Sequence, residues 1–199
     1  MSKNKVRHGL SNVHVAFIEE FDEDNKPIYG EIIPWPGAVS LTTDPEGDEY
    51  AFYADNVKYF STYNNDGYTG ELESALVPTE ILLEMYGWKK DKNGVIVEIA
   101  NGKEKAFALM AQFEGDKEGG RVVYYNCKAN RPNDEYTTNE EGMEVQTQSV
   151  ELTIQPVKLN DDFISKSLMS KSDNEEVYNG FFDEVYLPDF EEESTGDMF

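Results

Sequence analysis

Cysteine is almost absent from this sequence, where Cys127 is the one example among 199 residues. A single cysteine excludes an intramolecular disulfide framework and a cysteine-rich zinc site. Cys127 alternates with Val123, Tyr125 and Ala129 along a predicted strand. Because a free cysteine in such a pattern behaves as a small hydrophobic side chain, we interpret it as part of the core rather than as a nucleophile.

Basic residues are also scarce, with 17 Lys and Arg against 40 Asp and Glu and a formal net charge of −23. Tight DNA binding needs a basic face that displaces counterions, and anionic membrane surfaces attract basic segments. The charge balance therefore disfavours both kinds of partner. No apolar run approaches the length that spans a membrane, and no apolar segment follows the basic start of the chain. We expect no membrane partner, and a product that stays in the cytoplasm until it is assembled.

Sequence signatures of catalysis and cofactor binding are missing. His8 and His14 have no cysteine or carboxylate at a ligand spacing, and there is no nucleophile elbow, phosphate loop or dinucleotide fingerprint. The oxygen-rich turns at 22–25 and 44–48 lack the spacing of an EF-hand loop, so we prefer solvated turns over calcium sites. We predict no catalytic residue, no metal and no cofactor.

Alternating apolar and polar residues run through most of the chain, which is 39% hydrophobic and 13% aromatic. A chain of this length is expected to form one domain. The strictest alternation is at 107–113, and a second alternating segment follows at 123–127. Together they predict a hairpin at the centre of a sheet. The segment 150–154 alternates apolar residues with Glu and Thr, which predicts a strand with one face in water.

Two short helices are predicted beside roughly ten strands. The first begins with Pro78 at its first helical position and ends before Gly87 as the C′ residue. The second, at 173–187, has Ser172 or Asp173 as its N-cap. Its apolar face, formed by Val177, Phe181 and Val185, is expected to pack on the sheet. These elements predict a mainly β fold of two packed, mostly antiparallel sheets, with one flanking helix and a second, C-terminal helix.

The stretch 36–60 joins two strand-like ends through a polar middle. At 44–48, Pro45 fixes φ and Gly47 accepts positive φ, so we expect the chain to reverse there. Aromatic residues then crowd 50–60, which offers more apolar area than a solvated loop needs and predicts a subunit interface. The residues assigned to this predicted interface are Asp44, Pro45, Glu46, Gly47, Tyr50, Phe52, Tyr53, Asp55, Asn56 and Tyr59.

The same stretch resembles a known family. Pro-Gly-Ala-Val-Ser-Leu at 36–41, Asp-Pro-Glu-Gly at 44–47 and Phe-Tyr-Ala-Asp-Asn at 52–56 are similar to segments of the major tail protein. This protein is the tail-tube subunit of long-tailed bacteriophages with non-contractile tails. The resemblance continues in order through further segments at 65–73, 75–78, 124–132, 177–179 and 185–188.

The resemblance implies a tail-tube β-sandwich whose sheets close toward a barrel, related to the tube protein of type VI secretion. It implies a structural virion protein that forms stacked hexameric rings, and so builds the tail tube that conducts DNA during ejection. The implied partners are further copies of the chain, the tape-measure protein, and the tail terminator and distal tail proteins. Double-stranded DNA would pass without specific binding. The implied location is the virion tail, assembled in the host cytoplasm, and we expect a negative potential on the lumen wall.

These expectations divide the chain into three parts. Residues 1–10 form a basic arm that is too polar to pack, and residues 11–188 form a single tail-tube β-sandwich domain. Within that domain 43–67 is an extended assembly loop, and 189–199 is an acidic C-terminal tail. In the arm Lys3, Lys5 and Arg7 are predicted to pair with carboxylates of another copy.

One alternative function remains open. A monomeric β-sandwich could bind a ligand such as a glycan through Trp35, Trp88 and surface tyrosines. The sequence itself does not separate that function from assembly into a tube.

Overall fold

A computed structural model of the protein describes residues 4–138, 145–159 and 162–190. Its strands are β1 (Arg7–Phe21), β2 (Pro27–Pro34), β3 (Ala38–Glu46), β4 (Glu49–Ala54), β5 (Val57–Tyr63), β6 (Gly67–Ser74), β7 (Lys89–Lys90), β8 (Ile96–Val97), β9 (Phe107–Gly115), β10 (Gly120–Ala129), β11 (Gln148–Ile154), β12 (Val157–Leu159), β13 (Asp162–Ile164) and β14 (Lys166–Ser170). Its helices are α1 (Thr79–Tyr86) and α2 (Glu175–Gly180).

Eight strands form one antiparallel sheet, in the order β2, β1, β9, β10, β11, β6, β3, with β14 attached to β10. Strand β10 divides its pairing, because residues 120–124 pair with β14 and residues 127–129 pair with β11. The sheet curls strongly, since β1 and β3 are in contact although four strands separate them in the sheet order. The predicted mainly β, antiparallel fold with two helices is confirmed.

The curled sheet is buried on both faces near its centre. In β9 the side chains of Phe107, Leu109 and Ala111 belong to an inner core, which the two halves of the sheet enclose. Ala108 and Met110 point the other way, into an outer core with Phe181. Because both faces are buried, β9 is apolar at five consecutive positions, as strands covered on both sides are. Cys127 is fully buried in the inner core, as predicted, and its burial raises the pKa of its thiol.

A rigid corner at Trp35 leads from β2 into β3, as its two flanking prolines predict. The backbone N–H of Trp35 donates to the carbonyl of Val13 over 2.7 Å, and its indole N–H donates to Ser74 Oγ over 3.1 Å. The ring is 1% exposed. Since Trp35 is buried and satisfied, it cannot stack on a sugar, and that part of the glycan-binding alternative is wrong.

Helix α1 covers the inner core with Ile81, Met85 and Tyr86. It ends at Gly87, which has the left-handed φ of 64° that a C-terminal glycine supplies. The predicted position of Pro78 is wrong by one residue, because Pro78 is the N-cap, with φ −56° and ψ 138°. Its lack of an N–H costs nothing at either position.

Helix α2 is shorter than predicted, since it spans Glu175–Gly180 rather than 173–187. Its N-cap is Asn174, whose side chain accepts the backbone N–H groups of Glu176 and Val177. Asp173 does not cap the helix because its carboxylate accepts the backbone N–H of Ser170 over 2.6 Å. After Gly180 the chain turns inward, and the expected packing on the sheet is made by Phe181, which is 2% exposed.

Candidate functional site

Strands β4 and β5 form a long hairpin that extends the β3–β6 ladder beyond the sheet. The N–H of Asp66 donates to the carbonyl of Glu46 over 3.0 Å, and the N–H of Asn64 donates to the carbonyl of Asp48 over 3.1 Å. These bonds carry the antiparallel pairing from one pair of strands into the next. We call residues 49–63 the aromatic hairpin. The predicted loop of 43–67 is thus built mainly of strands.

The chain reverses at Asp55 and Asn56, and the predicted reversal at 44–48 is wrong. Both residues have positive φ, 51° and 61°, as the central residues of a type I′ hairpin turn require. Asp and Asn tolerate this conformation better than other residues that carry a side chain. Pro45 instead pairs with Tyr68 within β3, an edge strand, where a missing N–H is tolerated.

Gly47 is needed for close approach rather than for positive φ. It is absent from the glycines with left-handed φ, but a Cβ at this position would lie 2.0 Å from the carbonyl oxygen of Asn64. Real Cβ atoms do not approach a backbone oxygen that closely. The glycine therefore lets the two strands stay paired at the base of the aromatic hairpin.

The aromatic side chains of this hairpin are all exposed and belong to neither core. Their exposed fractions run from 51% for Phe52 to 74% for Tyr59 and Tyr63. An aromatic side chain offers about 150–250 Å² for burial, so the six exposed rings leave roughly 600–900 Å² uncovered. The rings divide between the two faces of the hairpin, because successive side chains of a strand point to opposite sides and Phe52 lies opposite Phe60, next to Tyr59. The six are Tyr50, Phe52, Tyr53, Tyr59, Phe60 and Tyr63.

Cross-strand contacts within the hairpin hold its register. Phe52 lies directly opposite Phe60, and Lys58 Nζ donates to Glu49 Oε1 over 2.6 Å. This hydrogen bond lowers the pKa of Glu49 and raises the pKa of Lys58. Because the pair is exposed to solvent, it contributes little to overall stability and mainly fixes the alignment of the two strands.

The predicted interface residues fall into two groups. Asp44, Pro45 and Glu46 lie on β3 at the base, where Glu46 Oε1 accepts the hydroxyl of Thr69 over 2.8 Å. Gly47 follows them at the base, and the other predicted residues lie on the aromatic hairpin, with Asp55 and Asn56 at its tip. The predicted interface residues did not include Val57, Phe60 and Tyr63, which are 58%, 54% and 74% exposed. The β-branched and aromatic residues of the segment 57–63 could have identified it as a strand, and all seven of its residues are exposed.

The N-terminal residues pack against the β9–β10 turn, so the expectation that 1–10 is too polar to pack is wrong for the described residues 4–10. Asn4 bonds to the backbone of residues 117 and 118, and the N–H of Lys5 donates to Asp116 Oδ1 over 2.6 Å. The Lys5 N–H lowers the pKa of Asp116. Arg7 lies in β1 and pairs with Gly115 of β9. Lys3 lies outside the described residues.

The outward face of β3, β6 and β11 is polar throughout its central rows. Its exposed side chains are Thr42, Asp44, Thr69, Glu71, Glu151 and Thr153. Three carboxylates and three hydroxyls therefore cover this part of the sheet. The segment 146–149, which leads into β11, is half-buried, and Gln148 Oε1 accepts the N–H of Val77 over 2.9 Å.

The described residues contain no group of three or more His, Cys, Asp and Glu side chains arranged to hold a metal ion. In the same residues no helix is both long and apolar enough to cross a membrane. Among the tyrosines, burial raises the pKa of Tyr125 to about 12, and its hydroxyl donates to Ser167 Oγ over 2.7 Å. Such a buried, satisfied hydroxyl has a structural role.

No protein-family model matches the sequence, and no curated protein matches it significantly. The fold is similar to those of several solved structures. A chain of the PVC sheath–tube complex, an extracellular contractile injection system in its extended state, is 11% identical, covers 83% of this chain and 93% of its own, and has a TM-score of 0.45.

Two more of these structures are of the anti-feeding prophage. A chain of its baseplate is 11% identical, covers 85% of this chain and 97% of its own, and has a TM-score of 0.43. A chain of its tube-terminating cap is 10% identical, covers 85% and 96%, and has a TM-score of 0.45.

Proposed function

We propose that this protein is the subunit of a phage tail tube, and that the aromatic hairpin is its main assembly element. The main observation that supports this proposal is the hairpin itself. It presents six exposed aromatic side chains on a pair of strands that extends beyond the sheet. Burying roughly 600–900 Å² of apolar surface is worth roughly 15–22 kcal/mol at about 25 cal/mol per Å², before the costs of association. A free monomer gains none of this.

The proposed assembly is a stack of hexameric rings, as the resemblance to the major tail protein implies. A head-to-tail contact that closes gives a ring, and one that does not close gives a filament. The partners would be further copies, the tape-measure protein within the growing tube, and the terminator and distal tail proteins at its ends. The protein would be assembled in the host cytoplasm and reside in the tail of the virion.

We assign the lumen wall to the outward face of β3, β6 and β11. DNA carries one negative charge per about 1.7 Å of its axis, so a wall that attracted it would hold it rather than pass it. Asp44, Glu71 and Glu151 give this face a negative potential, while its threonines keep it wetted. Double-stranded DNA would therefore pass during ejection without specific binding.

The glycan-binding alternative has less support. Trp35 is buried, which leaves Trp88 and the hairpin tyrosines. Trp88 is half-buried, and within the described residues its indole N–H is buried without a hydrogen-bond partner. An aromatic platform on a strand ladder suits a protein surface at least as well as a sugar, and no described feature favours the sugar.

Deletion of residues 48–63 tests the assembly role of the hairpin. The deletion joins Gly47 to Asn64 at the base of the ladder and removes no core residue. We expect a folded monomer, with the thermal midpoint of the parent protein, that forms no tubes under conditions in which the parent does. A thermal melt measures the midpoint. Sedimentation velocity shows whether the variant is a monomer, and negative-stain microscopy shows whether it forms tubes.

A matched control removes exposed apolar area elsewhere. Leu76→Ser with Phe163→Ser alters two side chains that are 69% and 75% exposed and lie outside the hairpin. This variant should assemble like the parent. Normal tubes from the deletion variant would refute the assignment of assembly to the hairpin.

A further inference from the structure

An open groove of about 390 Å³ lies where the β1 end of the curled sheet faces β3 and β14. Its floor is a continuation of the inner core and includes Leu41, Phe113, Tyr124 and Leu168. Leu168 is 47% exposed, although it pairs with the buried Val122 in the sheet. The groove is thus apolar surface that no element within the described residues covers.

Two cationic side chains stand at its rim. The Arg7 guanidinium lies 4.9 Å from the centre of the Phe113 ring, and Lys166 Nζ lies 4.3 Å from that of Tyr68. Within the described residues neither has a carboxylate at salt-bridge distance. His8, also at the rim, lies 3.7 Å from Glu114. The Arg7 and Lys166 side chains place positive charge at the rim of the groove in a chain of net charge −23.

We infer that this groove receives the tip of the aromatic hairpin from a second copy of the chain. The inference rests on the proposed tube function and deepens it, because it names the surface on which the hairpin docks. The tip, residues 53–57, carries Tyr53 and Val57 as apolar groups and Asp55 as its one charge. Its apolar residues match the floor, and its carboxylate matches the cationic rim.

The occupant comes from another copy because the hairpin cannot reach the groove of its own chain. Leu41 lines the groove in β3, and Asp55 lies 14 residues further along the same ladder. At about 3.3 Å per residue, an extended strand separates the two by roughly 45 Å. The paired hydrogen bonds at the base of the hairpin oppose a fold back onto the sheet.

The size of the groove agrees with this occupant. A volume of about 390 Å³ falls within the roughly 300–1,000 Å³ of pockets that enclose a small ligand. It accommodates a few side chains of the tip but not the whole hairpin, whose remaining rings would cover surface around the groove. Hairpin and groove are different surfaces of one chain, so the contact is heterologous and propagates from copy to copy.

Paired cysteines test the contact directly. We would join Val57→Cys at the tip with Leu168→Cys in the groove and oxidise the assembled protein. Cys127 is fully buried and should not react. A head-to-tail contact links each copy to the next, so a denaturing, non-reducing gel should show a ladder of multimers. Each single variant should give dimers at most.

The matched control joins Val57→Cys with Phe163→Cys, which is 75% exposed in β13 and lies outside the groove. It should give no ladder. An equal ladder from this pair, or monomer alone from the Val57 and Leu168 pair in tubes confirmed by microscopy, would overturn the inference. Tubes without that cross-link would leave the tube function intact, whereas failure of the parent protein to assemble would contradict the function itself.

A charge exchange gives a second readout. Lys166→Glu or Asp55→Lys alone should raise the concentration needed for assembly roughly fivefold, which is what one surface ion pair contributes. The double exchange should restore it, and absence of restoration counts against the contact. A cross-link between Leu168→Cys and Phe199→Cys within one chain would assign the groove to the acidic end of the protein instead, and would also overturn the inference.

Discussion

Replacement of Phe181 by Ala tests how the C-terminal region is held on the sheet. Helix α2 has six residues, and an isolated helix of that length is not stable in water. Phe181 anchors it, because its ring is 2% exposed and lies 5.7 Å from that of Phe182 and 6.3 Å from that of Tyr186. Truncation of a fully buried Phe to Ala costs about 3–5 kcal/mol.

For a chain of this length, 1 kcal/mol corresponds to about 2–4 °C in the thermal midpoint, so we expect a fall of roughly 6–20 °C. Differential scanning calorimetry and urea denaturation measure the change. The matched control is Phe190→Ala, since Phe190 is 55% exposed and its removal should change stability by less than about 0.5 kcal/mol. A Phe181→Ala midpoint equal to that of the control would refute the anchoring role.

Three further changes probe other contacts. Gly47→Ala would bring a Cβ to 2.0 Å from the carbonyl oxygen of Asn64, so we expect a folded protein that assembles more slowly, as followed by light scattering. Trp35→Phe leaves the buried Ser74 hydroxyl unpaired and should cost about 1–3 kcal/mol in urea denaturation. The lowered pKa of Asp116 means that its anchoring of the N-terminal backbone persists above the usual carboxyl pKa of about 3.9 and is lost as the pH falls through the lowered value. Hydrogen exchange of the Lys5 and Val6 amides, which donate to Asp116, should therefore match that of the Asp116→Ala variant only at low pH.

Strands with strict alternation could be predicted from the sequence. The hairpin of β9 and β10 and the half-buried β11 follow directly from residues that repeat every second position. This pattern is local, because successive side chains of a strand point to opposite faces. The mainly β class and the buried Cys127 follow from the same rule.

The reversal point of the hairpin could not be predicted in the same way. Both 44–48 and 55–56 contain residues that favour turns, and the choice depends on whether β4 pairs with β5. That pairing continues the β3–β6 ladder, which joins residues distant in sequence, and the hydrogen bond between Asp66 and Glu46 links the two. Likewise α2 has three adjacent candidates for its N-cap, Ser172, Asp173 and Asn174. Asn174 caps the helix, because the carboxylate of Asp173 accepts the N–H of Ser170 instead.

The candidate site was predicted in part. Crowded aromatic residues identified the hairpin, because apolar area beyond the needs of a loop is visible in composition alone. The groove could not be found, since its residues come from separate strands, with Leu41 in β3 and Leu168 in β14. They meet only through the curl of the sheet, which no local pattern encodes.

Electron microscopy of the purified protein is the most direct test of the central claim. As concentration rises, we expect rings or hollow tubes, with the aromatic hairpin buried between subunits and the Thr and Glu face of β3, β6 and β11 toward the lumen. A three-dimensional reconstruction would assign both surfaces. Particles that remain single subunits at every concentration and ionic strength, or a tube whose inner wall is lined by exposed Lys and Arg, would contradict the account.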